Sequence, residues 1–381
     1  MLAGRRGKQK PIAIDLFSGC GGLTEGLRKA GFRVLGAVDI DETAVETYRL
    51  NHPDVEIWTK DIRDLTIRTV TRKLGIRKGQ LDLVAGCPPC QGFSTMRTLN
   101  GNRSNRDKRN NLLFEFLRFI EELRPRAVMM ENVPGLAKNS RFKQFCSRLK
   151  ELGYVGDHRV LNAAHFGVPQ RRNRLIYLAG LGSGIGFAKA RKEGKTVRQA
   201  IFSLPAAGKS GDPLHDMPER RSPEVAKMIK AVPKDGGSRT DLPQKQQLEC
   251  HKSCDGFKDV YGRMAWDKAA PTITTGCFNP SKGRFLHPVK NRAITIREAA
   301  LLQSFRKGYK FRAKRGKVAL ALMIGNALPP EFIRRHALEI HEILRPAART
   351  LRGRFNGKHS NSGAIPKTSQ HRRSSFTRSH S

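Results

Sequence analysis

Apolar residues in the first 180 positions fall into short runs broken by polar turns, and the runs alternate in period. Seven are compact enough for buried strands: 12–17 (IAIDLF), 34–40, 55–58, 81–85, 127–130, 159–162 and 175–179. Between them lie segments with apolar residues three and four apart, the spacing of one helix face. These are a stretch with Leu23, Leu27 and Ala30, then 42–51, then 112–123 with Leu113, Phe116, Leu117 and Ile120, then 142–152. Strands alternating with helices predict an α/β domain built on a mostly parallel sheet. Such sheets bind ligands outside the carboxyl ends of their strands.

The pattern changes near position 180. Residues 182–294 are rich in Gly, Pro, Lys and Arg with little periodicity, which predicts a smaller, loop-rich domain inserted after a first domain at 11–181. Regular structure returns at 295–345. Thr295 and Glu298 have the spacing of a capping box before a helix running to Ser304. Val318–Ile324 and Pro330–Leu344 also read as helices, joined by GNALP. From Arg345 on there is no acidic residue, so 346–381 reads as a basic, disordered tail, and 1–10 as a basic arm.

Charge then narrows the function. Lys and Arg total 72 against 33 Asp and Glu, a net charge of +39, which implies a polyanionic partner, and nucleic acid is the simplest. No apolar run is long enough to span a membrane and no signal-peptide core follows the N-terminus, so a cytoplasmic protein is expected. Seven irregularly spaced cysteines suit reduced thiols, not a disulfide framework.

Three side chains carry candidate chemistry. In GCPPCQGFS (86–94), prolines hold Cys90 on a stiff turn after a strand. Glu131 follows the 127–130 strand, and Arg174 closes QRRNR in the loop before the 175–179 strand. A thiolate can add to an electron-poor carbon, a buried carboxylic acid can protonate a ring nitrogen, and a guanidinium can hold a carbonyl oxygen. Cys87 forms a CxxC pair with Cys90, but Cys250 and Cys254 are a distant CxxxC, so no zinc site is expected and Cys87 reads as a small packing residue. Cys20 and Cys277 read as structural. The glycine turn SGCGG (18–22) does not spell GxGxxG, which disfavours a NAD-binding oxidoreductase.

Six motifs in order make the sequence similar to the bacterial-type DNA (cytosine-5)-methyltransferase family: DLFSGCGGL (15–23), PPCQGFS (88–94), ENVPG (131–135), QRRNR (170–174), REAALLQSF (297–305) and GNALPP (325–330). The resemblance implies a Rossmann-like S-adenosylmethionine-dependent methyltransferase fold with a mostly parallel seven-stranded sheet and a target-recognition domain at 182–294. It implies that Cys90 attacks C6 of a flipped-out cytosine in double-stranded DNA, that Glu131 protonates or hydrogen-bonds N3, that Asn132 fixes the loop, and that Arg174 and Arg172 contact the base and the catalytic loop. It assigns Phe17, Gly19, Gly21, Leu23, Pro88, Leu112 and Asn326 to the cofactor pocket, Asp39 to the ribose hydroxyls and Asp61 to the adenine amino group. Where the family often carries a large aromatic this chain has Ile40, so the adenine contact becomes apolar packing. The expected product is 5-methylcytosine, made without a metal in restriction-modification or by an orphan enzyme at the nucleoid, and a monomer is expected because every motif lies in one chain. Two other readings stand beside it. One is a tRNA cytosine methyltransferase, although Asn279 follows Cys277-Phe278 where that branch has Thr. The other is a catalytically dead DNA-binding homologue, which would be expected to have lost Cys90, Glu131 or Arg174.

Overall fold

A computed structural model of the chain describes residues 10–89, 112–192, 194–249 and 258–344. Cys90, Ser94, Cys250, Cys254 and the 346–381 tail lie outside the described residues, as does the N-terminal arm apart from Lys10.

Strands β1 (Ile12–Leu16), β2 (Arg33–Asp39), β3 (Glu56–Thr59), β4 (Leu83–Gly86), β5 (Ala127–Asn132), β6 (Tyr154–Asn162) and β7 (Asn173–Leu181) form one sheet in the order β3-β2-β1-β4-β5-β7-β6. The first five are parallel, and β7 runs antiparallel to both neighbours. Chain order reverses between β1 and β4, which opens a crevice at their carboxyl ends.

Helices cover both faces. On one, α1 (Gly22–Lys29) packs with the last helix under Leu27, Val34, Met129 and Phe332. On the other, α3 (Ile67–Leu74), α4 (Leu112–Leu123) and α5 (Ser140–Glu151) bury Val70, Phe116, Phe119 and Phe145 against Ile14, Val84 and Val128. Helix α2 (Glu42–Asn51) follows β2, with the Asp41 carboxylate accepting from the Thr43 and Ala44 amides at its start.

Three expectations need correcting. The 127–130 strand continues through Asn132, and Arg174 lies within β7, not in the loop before it. Polar residues look like turns in sequence, but Glu131 and Asn132 are buried in the sheet. The 159–162 strand begins at Tyr154, because β6 is an edge strand whose exposed Val155–Arg159 stretch shows no apolar alternation.

The 182–294 segment holds short helices, α6 (Val197–Ile201) and α7 (Pro223–Ala231), and few β-bridges. Arg263 substitutes for missing regular structure. It is fully buried, and its guanidinium donates to the carbonyls of Ile229, Val232, His287 and Lys290 and to Asn291 Oδ1, at 2.6–3.0 Å. Loop backbone that cannot pair with itself is satisfied by one side chain. Trp266, Ile273 and Phe285 share a core with α8 (Ile296–Leu302) and α9 (Gly316–Asn326). The Thr295 capping box forms, with its hydroxyl accepting from the Glu298 amide at 3.1 Å. The last helix is α10 (Pro330–Leu344). No helix among the described residues is long and apolar enough to cross a membrane.

Candidate active site

A cavity of 820 Å³ occupies the crevice at the strand ends. Its wall is built from residues that directly follow successive strands: Phe17–Cys20 after β1, Asp39–Asp41 at the end of β2, Lys60–Ile62 after β3, Cys87 and Pro89 after β4, and Val133 after β5. Leu23, Val38, Ala44, Leu112, Leu322, Met323 and Asn326–Leu328 complete it.

The turn after β1 is tightly wound. Phe17, Gly19 and Gly21 all have left-handed backbone, at φ 61, 51 and 93. A bulky residue in that region is strained, so the turn is held from outside. The Gly19 amide donates to Asp39 Oδ2 at 2.7 Å, and the Ser18 amide to the Val38 carbonyl at 3.1 Å. The second oxygen of Asp39 accepts from the Asp41 amide at 2.9 Å. Burial pushes the Asp39 carboxyl up, against the pull of these amides. Beneath the turn, Tyr309 donates to the Cys20 carbonyl at 2.6 Å, with His52 Nε2 3.2 Å from its hydroxyl.

A second group of side chains lies at the end of β5. Glu131 is almost wholly buried, and Arg174 Nε stands 2.9 Å from its Oε1. The antiparallel course of β7 makes this pair. Asn132 faces Leu175 in the β5–β7 register, so the start of β7 lies beside the carboxyl end of β5. The Cys87 Sγ is 2.9 Å from the other carboxylate oxygen, Oε2. The Asn132 amide donates to the Pro88 carbonyl at 2.8 Å and so ties β5 to the turn that leads to Cys90. Pro89, the last described residue before Cys90, is on the cavity wall.

Arg172, near the same group, is bonded to backbone. It is 3% exposed, and its guanidinium donates to the carbonyls of Ile273 and Gly325 at 3.0 Å each and of Ala327 at 3.4 Å. Gly325 is near the end of α9, where helix carbonyls lack partners. Four residues on stands Pro329, which has no N–H to offer. Gln303 completes the cap with bonds to the Ile324 and Ala327 carbonyls, both 2.7 Å, while Gln170 bonds to the Gln303 side chain and accepts from the Ile273 amide. Burial, and then the Arg174 charge, push Arg172 down to about 9, which leaves it protonated at neutral pH.

A family model described as C-5 cytosine-specific DNA methylase matches residues 12–342. The chain belongs to that family. This methylase is 37% identical over 348 residues to the Type II methylase M.HgiDII of Herpetosiphon aurantiacus, covering 87% of this chain and 95% of the relative. It is 36% identical to the Type II methyltransferase M1.HphI of Haemophilus parahaemolyticus, covering 83% of each. A solved E. coli structure, described as a prophage-encoded DNA modification methyltransferase, superposes with a TM-score of 0.64 at 25% identity, over 88% of this chain and all of that one. The methylase is therefore a DNA cytosine-5 methyltransferase, of a class that uses S-adenosylmethionine.

Of the residues expected at the cofactor, Phe17, Gly19, Leu23, Asp39, Ile40, Asp61, Leu112 and Asn326 line the cavity. Gly21 and Pro88 do not: Gly21 packs on Tyr309 and His52, and Pro88 offers its carbonyl to Asn132. Asp61 is held by its neighbour Arg63, whose hydrogen bond lowers the carboxyl's pKa. Glu131, Asn132 and Arg174 come together, and Arg172, within electrostatic reach of Glu131 and Arg174, makes its hydrogen bonds to backbone carbonyls. Sequence reasoning gave Cys87 a packing role and no role to Gln170 or Gln303. The only signal for the two glutamines was their place inside the QRRNR and REAALLQSF motifs.

Proposed function

We propose that this methylase adds a methyl group to C5 of a flipped-out cytosine within a specific duplex DNA sequence, with Cys90 as nucleophile. The observation that carries the reading is the buried Glu131–Arg174 pair, which stands beside the strand end that leads through Pro89 to Cys90. C5 of cytosine is a weak nucleophile. Addition of the Cys90 thiolate to C6, with Glu131 protonating N3, turns the ring into an enamine whose C5 is electron-rich. Arg174 holds Glu131 in place and keeps further N–H donors for the base carbonyl. Once C5 is methylated, loss of the C5 proton, expulsion of the thiolate and return of the N3 proton to Glu131 restore the ring. Such an approach to a ring face requires the base to leave the stack.

The cavity suits S-adenosylmethionine by its donor set. Asp39, Asp41 and Asp61 line it against a single lysine, Lys60, so a strongly basic protein holds an acidic pocket fit for a cationic ligand. Ile40 is 68% exposed on its rim, an apolar surface for an adenine ring. Bound there, the cofactor supplies an electrophilic methyl group for C5. Asp39 would meet hydroxyls and Asp61 the adenine amino group, while the glycine turn lets backbone approach. Residues 182–294, with their polar and basic loops, form the target-recognition region, and the basic tail adds phosphate contacts. All six motifs lie in one chain, which supports a monomer working on chromosomal DNA in the cytoplasm.

Bisulfite sequencing of DNA from cells expressing the protein tests this. Methylated cytosines in one short sequence context are expected, and none with a Cys90→Ala variant that still binds duplex DNA. Methylation of tRNA in place of DNA, or full activity of Cys90→Ala, would refute the reading.

A further inference from the structure

The thiol of Cys87 meets Glu131 inside the catalytic pocket, and packing does not account for the contact. The β4–β5 register pairs Gly86 with Met130, so the next residues, Cys87 and Glu131, are lateral neighbours. The Cys87 amide donates to the Leu16 carbonyl at 3.2 Å, which extends the ladder and fixes the residue between β1 and β5. Its Sγ then lies 2.9 Å from Glu131 Oε2 while Arg174 Nε stands 2.9 Å from Oε1. Both carboxylate oxygens have a neighbour, Oε2 in a hydrogen bond and Oε1 in an ion pair that lacks hydrogen-bond geometry. Burial and then the Glu131 charge hold the thiol well above its ordinary pKa, so the S–H is intact and is the donor. Cys87 also lines the 820 Å³ cavity, and so lies between the cofactor pocket and the carboxylate.

We propose that Cys87 is a positioning residue for methyl transfer, its thiol fixing the plane of the Glu131 carboxylate and stabilising the negative charge that appears there when Glu131 gives its proton to N3. A terminal carboxylate turns freely about its last torsion. One contact from Arg174 leaves that rotation open, and a second donor on the other oxygen stops it. The S–H···O bond strengthens as charge develops, so its effect falls on the transition state more than on binding. The proposal rests on Glu131 being the proton donor to N3.

The test compares Cys87→Ala, Cys87→Ser and Glu131→Gln with the wild type, in single-turnover methylation of a short duplex across pH. Cys87→Ala is expected to lose about five- to tenfold in kcat, the scale of one ordinary net hydrogen bond, with KM for DNA and cofactor within about twofold. Without the donor the Glu131 carboxyl is harder to ionise, so the alkaline limb of the profile moves to higher pH. Cys87→Ser, whose hydroxyl can donate, returns both the rate and the limb toward wild type. Lost rate with an unmoved limb, or a serine variant as slow as the alanine one, overturns the proposal and makes Cys87 structural. Wild-type kinetics in Cys87→Ala beside an inactive Glu131→Gln overturns the role of Cys87 alone, whereas a fully active Glu131→Gln overturns the reading of Glu131 as well.

Discussion

Replacing Arg172 with methionine separates two roles that the QRRNR motif allows. A residue that touched the base would be dispensable for folding and essential for turnover. The structure instead engages the guanidinium with three carbonyls. Methionine keeps the apolar stem but no donor. The Ala327 carbonyl retains Gln303 at 2.7 Å, whereas those of Ile273 and Gly325 lose this partner in a dry site. Each buried carbonyl left unpaired costs about 1–3 kcal/mol, about 2–6 kcal/mol for the two. Loss of a cation at the end of α9 adds about 0.3–1 kcal/mol. Against this, the variant no longer buries a charge, which returns part of the loss. The expected net destabilisation is about 2–4 kcal/mol. Urea unfolding of the cofactor-free protein measures it directly, and Arg172→Lys, with charge but without the planar fork, should fall between the two. An unchanged unfolding midpoint in Arg172→Met, together with a collapse of kcat, would refute the strut and restore a base contact.

Gly21→Ala places a Cβ on a backbone at φ 93, 2.7 Å from the Tyr309 hydroxyl and 2.9 Å from the His52 ring. The left-handed backbone alone costs about 1–2 kcal/mol, so a lower melting temperature and weaker S-adenosylhomocysteine binding by calorimetry are expected; unchanged values would show that the turn is not held as described. Acid should destabilise the protein: burial lowers His52 and His287 to about 4 and His336 to about 3, so between pH 6.5 and 4 the unfolded chain takes up protons that the fold refuses. Asp15, raised to about 7 by burial, works the other way, gaining stability as pH falls from 7 toward 3.8. Three imidazoles against Asp15, with Asp39 also pushed up by burial, leave a net loss of at most about 3 kcal/mol between pH 7.5 and 5, to be checked by urea midpoints at the two pH values; equal midpoints would contradict the burial of these histidines in neutral form.

The sheet was legible because its strands are apolar runs between helix-period segments, and α4 and α10 have the very ends that their sequences predict. The cavity followed from the same pattern, since its walls are whatever comes after each strand. What did not show was direction. Nothing in the residues 173–181 says that this strand runs against its neighbour, and that reversal alone sets Arg174 beside Glu131. Role was equally hidden at Arg172, because a charged residue in a charged motif looks solvent-facing until the carbonyls around it are seen. Cys87 packs against the core as expected, but its contact with Glu131 was hidden, because the acceptor lies 44 residues away. The loops of 182–294 gave no periodic signal, because Arg263 organises their backbone in place of a ladder.

The buried bonds among Gln170, Arg172, Gln303 and Ile273 bear on how new specificities could arise in this scaffold. A Cβ at Gly325 would lie 2.4 Å from the Thr274 carbonyl carbon and the Thr275 amide nitrogen, so the 273–275 backbone is seated directly on the helix end that carries Asn326 to the cavity. The proposed recognition segment is thus not freely interchangeable cargo. Exchange with a relative would have to place its junctions upstream of Ala270, or else carry the glutamines and Arg172 along with it. Grafts that cut between Ile273 and Gly325 would separate partners that only match each other. Evolution by recombination at this locus is confined by the same seam, while point changes in the loops ahead of it remain open.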